Sequence, residues 1–188
     1  MLRKQPNLKS KLAVIPLFAI GMVTLGDWAS TATAEQVGGR SYFDHAPRLT
    51  RSAVSNYTPL NPSTYQFTIS VPSDAGAALQ TVKIVQEPNL DRVHFNVANS
   101  SAFLGNSFAG GQSVPLAALG GDLPQDATEA TVTFNPPIQP GQTVTVVLDA
   151  SKNPWLGGSY LFGVTAYPEG NQNSGLFLGF GRIQFPIY

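Results

Sequence analysis

The feature that most constrains this chain is an alternation of apolar and polar residues with a period of two. It recurs in short runs set apart by glycine, proline and asparagine. In YQFTISV (65–71), Tyr65, Phe67, Ile69 and Val71 share one face, and Gln66, Thr68 and Ser70 share the other. Successive side chains of a strand point to opposite sides, so the run predicts a half-buried β-strand. Pro72-Ser73-Asp74-Ala75-Gly76 closes it with turn residues. The same period places Val82 and Ile84 on one side of TVKIVQ (81–86), and Val93, Phe95 and Val97 on one side of DRVHFNV (91–97). TEATVTF (128–134) aligns Ala130, Val132 and Phe134, and QTVTVVL (142–148) aligns Val144, Val146 and Leu148. With Pro140-Gly141 reversing the chain between them, these two runs read as a hairpin. SYLFGVTAY (159–167) carries Tyr160, Phe162, Val164 and Ala166 on one face. In the last run, GLFLGFGRIQF (175–185), Gly179 and Gly181 predict a bulge or a close backbone approach.

Residues 98–127 break the pattern. They are rich in Ser, Gly, Asn and Ala, and predict a long loop with one short strand near Val114–Ala117. No segment shows a helical period. About seven short strands with such turns predict an all-β fold, an antiparallel immunoglobulin-like β-sandwich. A membrane barrel fits poorly: the strands are too short, prolines interrupt them, and counting back from Tyr188 puts Pro186, Gln184 and Arg182 in the lipid-facing row.

The start of the chain reads differently. Arg3, Lys4, Lys9 and Lys11 precede an uncharged run, LAVIPLFAIGMVTLG (12–26), and Ala32-Thr33-Ala34 follows. That order predicts a secretory signal peptide cleaved before Glu35. The apolar run is short for a membrane span, so no stable membrane insertion is expected after cleavage. The expected organisation is a signal peptide (1–34), an extended lead-in (35–64) and a sandwich domain (65–188). The expected location is periplasmic or extracellular. Beyond residue 34 there are seven basic and ten acidic residues. Such a weak negative balance offers no basic patch for nucleic acid. There is no cysteine, which excludes disulfides, thiol chemistry and a lipidated cysteine.

Catalytic chemistry is hard to assemble. GNSFA (105–109) approaches a nucleophile elbow at Ser107, but that fold needs a histidine later in the chain, and His45 and His94 both precede it. Met1 and Met22 leave with the signal peptide, and the two histidines cannot hold copper alone. Asp122, Asp126 and Glu129 lie close in sequence but match no calcium loop. No pair of acids stands out for glycoside hydrolysis. No cofactor is expected. What remains is aromatic: Trp155 before a strand, Tyr167 at its end, and Phe108 in the long loop are the candidate ligand-binding residues. Aromatics at loop tips give rigid contact area suited to glycan or protein partners. The competing reading of Trp155 is a core plug, common in this architecture.

APRL (46–49), YQFTISVPSDAG (65–76), PGQTVTVVL (140–148), NP (153–154), GGSYLFGVTAYPEG (157–170) and GLFLGFGRIQFPIY (175–188) occur in that order. Together they resemble the cyanobacterial secreted proteins catalogued as Domain of Unknown Function 2808. The resemblance implies export and a Gram-negative, photosynthetic source, and it brings no activity, ligand or catalytic residue. The expected function is therefore a non-enzymatic exported module, binding or structural, with an envelope polysaccharide or protein as partner. The alternative is a glycan-active hydrolase or a glycan-binding protein whose site residues the sequence does not identify.

Overall fold

The computed structural model describes residues 36–37, 40–106, 110–120, 128–170 and 174–187. The signal peptide expected over 1–34 lies outside them. The strands are β1 (Gln36–Val37), β2 (Arg40–Ser41), β3 (Arg48–Val54), β4 (Ser63–Ser70), β5 (Leu79–Gln86), β6 (His94–Leu104), β7 (Leu116–Gly120), β8 (Glu129–Ile138), β9 (Thr143–Lys152), β10 (Gly158–Pro168) and β11 (Leu176–Phe185). The first two form a small pair of their own. The other nine make two antiparallel sheets, one ordered β11-β10-β5-β8-β7 and one ordered β3-β4-β9-β6. Strands β5 and β8 pair in one sheet while β6 and β9 pair in the other. The chain thus crosses the sandwich from β5 to β6 and again from β8 to β9, the key of an immunoglobulin-like fold.

The apolar faces read from the alternation meet between the sheets. Tyr65, Phe67, Ile69, Val144, Val146 and Leu148 come from one layer, and Val82, Ile84, Val132, Phe134, Phe162 and Val164 from the other, all buried. Phe162 is the centre, with its ring 5.6 Å from Tyr65, 5.6 Å from Phe67 and 6.0 Å from Phe95. Edge-to-face and tilted contacts of this kind add to the area each ring buries. The interior is apolar and the outer faces are mixed, the reverse of a lipid-facing barrel.

Three features depart from expectation. The runs 128–134 and 142–148 are not a hairpin, because β8 and β9 lie in different sheets. The turn between them bonds within itself (Gln142 N to Gln139 O, 3.1 Å) and to Val71, which follows β4 (Gly141 N to Val71 O, 2.9 Å). A hairpin and an arch bury the same alternating faces, so alternation does not separate them. Second, the lead-in contains β3, the edge partner of β4. Third, the polar face of β4 is not exposed. Gln66 and Thr68 are buried, and the Thr68 and Thr145 hydroxyls pair at 3.0 Å, with Thr145 also donating to Gly105 O at 2.8 Å.

The two glycines of β11 take one expected role each. Gly179 has φ +116°, at the register shift where β11 slips against β10. Gly181 faces inward, and a Cβ there would come within 2.9 Å of the Phe67 ring and 3.0 Å of Ser52 Cβ. The slip changes parity, so Phe177 and Phe180 both face outward and their rings meet edge-on at 5.1 Å.

Candidate functional site

Trp155 is in the β9–β10 connection and is 65% exposed, so it is not a core plug. Tyr167 is half-buried near the far end of β10. At about 3.3 Å per residue, the nine strand steps from Gly158 to Tyr167 alone cover about 30 Å, so the two cannot share one platform. Tyr167 covers Gly175, where a Cβ would meet its ring at 2.5 Å, and it belongs to the outer face that carries Phe177 and Phe180. Phe108 lies outside the described residues. Apart from Tyr42, just after β2, the exposed aromatics among the described residues fall in two places: the outer face of β10 and β11, and the end of the sandwich that carries Trp155.

That end is the more constructed of the two. Asn153, two residues before Trp155, is fully buried. Its Oδ1 accepts from the Tyr65 hydroxyl at 2.8 Å, and its Nδ2 donates to Asn56 O at 2.7 Å and Thr58 O at 3.0 Å. Its backbone N–H donates to Asn61 O, and its backbone carbonyl accepts from Leu60 N–H. One polar side chain thus ties the β3–β4 loop to the β9–β10 loop and to the core tyrosine. Pro154 follows and offers no N–H that would need a partner.

Asp91, from the β5–β6 loop, holds the next two residues. Its Oδ2 accepts from Trp155 N–H at 2.6 Å and Leu156 N–H at 3.4 Å, and its Oδ1 from Arg92 N–H at 2.7 Å. Partial burial pushes its pKa up, but the three backbone donors, helped by nearby His94, leave it below the usual carboxylate range. The Tyr160 hydroxyl donates to Leu156 O at 2.8 Å, closing the turn from beneath. Burial, and secondarily Asp91, raises the Tyr160 pKa, while burial and then Tyr160 raise that of Tyr65. Both hydroxyls stay protonated as donors. Gly157 is pressed against the Pro186 carbonyl, which leaves no room for a side chain.

On this base stand Trp155, Tyr57, Leu60, Leu156 and Ile187, all exposed. A cavity of about 410 Å³ opens among Pro59, Trp155, Leu156, Gly157 and Ile187. Among the described residues no carboxylate lines it. The arrangement offers a rigid apolar and aromatic contact surface. The sequence singled out Trp155 as a candidate but not Asn153 or Asp91, which hold its backbone; Asn153 was signalled only by the Asn-Pro pair, and Asp91 by nothing.

The other sequence candidates do not assemble with it. Glu129 is paired with Lys83 at 2.9 Å, and Asp122, Asp126 and Ser107 lie outside the described residues. His45 Nδ1 is 2.9 Å from Asp74 O, at the opposite end of β4. Among the described residues no group of three His, Cys, Asp or Glu is placed to hold a metal ion.

A family model described as a protein of unknown function, DUF2808, matches residues 40–185. No curated protein sequence matches the chain. Solved structures give distant likenesses. One is described as the complete structure of manganese lipoxygenase of Gaeumannomyces graminis and a partial structure of zonadhesin of Komagataella pastoris. It is 8% identical over 71% of this chain, with a TM-score of 0.44, and the match spans only 48% of that chain. ACE19, the collagen-binding subdomain of the Enterococcus faecalis surface protein ACE, is 7% identical over 76% of this chain and 96% of its own, with a TM-score of 0.45. An uncharacterised Nocardia farcinica protein with an immunoglobulin-like fold is 16% identical over 72% of this chain and 96% of its own, with a TM-score of 0.39.

Proposed function

This chain belongs to the DUF2808 family, and from that premise we propose that it is an exported, non-enzymatic module that binds a partner at the Trp155 end of the sandwich. The partner is a polysaccharide or protein of the cell envelope or its exterior. The observation that carries the reading is Trp155 itself, 65% exposed on a turn whose backbone is fixed by Asn153 and Asp91. A large ring presented without freedom to collapse loses little entropy on binding. Tyr57, Leu60 and Ile187 extend the contact area around it. Glycoside hydrolysis needs two carboxyl groups facing across a cleft, and among the described residues the cavity beside Trp155 has none. Export is supported by the basic start, the uncharged run at 12–26 and Ala32-Thr33-Ala34. No helix among the described residues is long and apolar enough to cross a membrane.

Co-sedimentation of the purified protein with envelope fractions tests this. The wild type is expected to sediment with the envelope, and Trp155→Ala or Tyr57→Ala to stay largely in solution while remaining folded. Equal sedimentation of all three, or of none, would overturn the reading.

A further inference from the structure

The outer face of the four-stranded sheet holds a polar cavity at the same end of the molecule. Residues pointing away from the core fall in rows across β4, β9 and β6: Thr64, Asp149 and Asn96 form one, and Gln66, Val147 and Ser101 the next. Between Asn96 and Ser101, β6 carries more residues than β9 opposite it, so the chain bulges there. Beside that bulge lies a cavity of about 420 Å³ lined by Ser55, Ser63, Thr64, Asn96, Asn99 and Asp149, among others. That volume is within the range of small-ligand sites, about 300–1,000 Å³.

One acceptor in this wall is open to a ligand. Asp149 is only partly buried, lines the cavity and has no hydrogen-bond partner among the described residues, and its partial burial raises its pKa. Asn96 Oδ1 is shut away from solvent beneath it, so Asn96 bounds the cavity without offering that oxygen. A carboxylate that no protein donor engages is free to take one from outside. The remaining wall narrows the donor's chemistry. Hydroxyls and amides both give and take hydrogen bonds, whereas an ammonium only gives. Calcium takes six to eight oxygens, usually including several carboxylates, and this wall has one. An alcohol matches both halves of the wall, and several alcohols on one ring match its breadth.

We propose that this cavity is a carbohydrate subsite, in which Asp149 accepts from ring hydroxyls and Thr64 and Asn99 complete the pairing. The site does not depend on the role given to Trp155. Ser151 at its rim is four residues from Trp155, at most about 14 Å along the chain, so one glycan chain seated in the cavity reaches the indole.

The test is a titration of the isotope-labelled protein with methyl glycosides of neutral hexoses and N-acetylhexosamines at millimolar concentration, followed by amide chemical shifts. Calcium chloride and methylammonium chloride are titrated in parallel. At least one glycoside is expected to shift the amides of Thr64, Asn96, Asp149 and Ser151 saturably. Asp149→Asn and Asn99→Ala should each weaken that binding about tenfold, and Phe180→Ala, on the other sheet, should not. Asp149→Asn keeps the side-chain shape, so a native spectrum separates lost binding from lost fold. The proposal fails if no glycoside shifts these amides, if calcium or methylammonium shifts them instead, or if Asp149→Asn binds at full strength. Shifts confined to residues 153–157 would overturn this subsite while leaving the Trp155 reading intact.

Discussion

Replacing Asn153 with alanine should loosen the Trp155 end and destabilise the whole domain. The side chain makes three hydrogen bonds from a fully buried position. At about 1 kcal/mol net per bond, their loss costs about 3 kcal/mol. Asn56 O keeps the Ser63 hydroxyl and Thr58 O keeps Asn61 N–H, so neither carbonyl is stranded. The Tyr65 hydroxyl is left in the core without its acceptor, which adds about 1 kcal/mol. The total of about 4 kcal/mol corresponds to a fall in Tm of roughly 8–16 °C for a domain of this size. Thermal and urea unfolding followed by far-ultraviolet circular dichroism would measure it. Tyr65→Phe alone should cost about 1–2 kcal/mol, because it strands Asn153 Oδ1 instead. In the Asn153→Ala background the same change should cost nothing or restore about 1 kcal/mol. An Asn153→Ala cost below about 1 kcal/mol, or simple additivity of the two changes, would refute the assignment of Asn153 as the tie between the loops.

Other perturbations have defined signs. Trp155→Ala should shift stability by no more than about 0.5 kcal/mol, since the ring is mostly in water, and unfolding curves would show it. Asp91 has a lowered pKa when folded, so its contribution is present above the usual carboxylate range and is lost as pH falls through the lower folded value. Tm measured against pH should therefore fall less on the acid side in Asp91→Asn than in the wild type. Asp149 has the opposite sign: its folded pKa is raised, so stability declines as pH rises from the ordinary value through the folded one. Asp149→Asn should match the wild type in acid and exceed it at neutral pH. Gly181→Ala should cost about 1–3 kcal/mol in a denaturant titration, because the new methyl meets the Phe67 ring and Ser52.

The core was legible in the sequence because each strand buries one face. Tyr65, Phe67 and Ile69, or Tyr160, Phe162 and Val164, declare that face by alternation alone. β3 was not, since its register shifts between Leu49 and Arg51 and only Val54 along it is buried. The pairing of β8 was misread because alternation reports which side is buried and not which strand lies alongside. At the candidate site, Trp155 could be picked out but not placed, since a tryptophan next to a strand suits a core as well as a surface. What placed it was Asn153, a polar residue whose burial leaves no trace in an apolar pattern. The polar row of Thr64, Asn96 and Asp149 was hidden similarly, because its members come from three strands far apart in the chain.

The borders of the two sheets carry a last consequence. β11 lies against β3 at one side, where the Ser52 hydroxyl donates to Arg182 O, and residues 112–114 bond to β6 at the other through Leu104 N to Gln112 O and Val114 N to Ala102 O. Arg182 O on β11 and Leu104 N and Ala102 O on β6, which would otherwise be open to a foreign strand, are thereby engaged. Where those groups are occupied, association falls to side chains on faces and loops. Selection for a new partner can then act on Tyr57, Leu60 or Trp155 one substitution at a time, while the hydrogen-bonded frame beneath them stays unchanged.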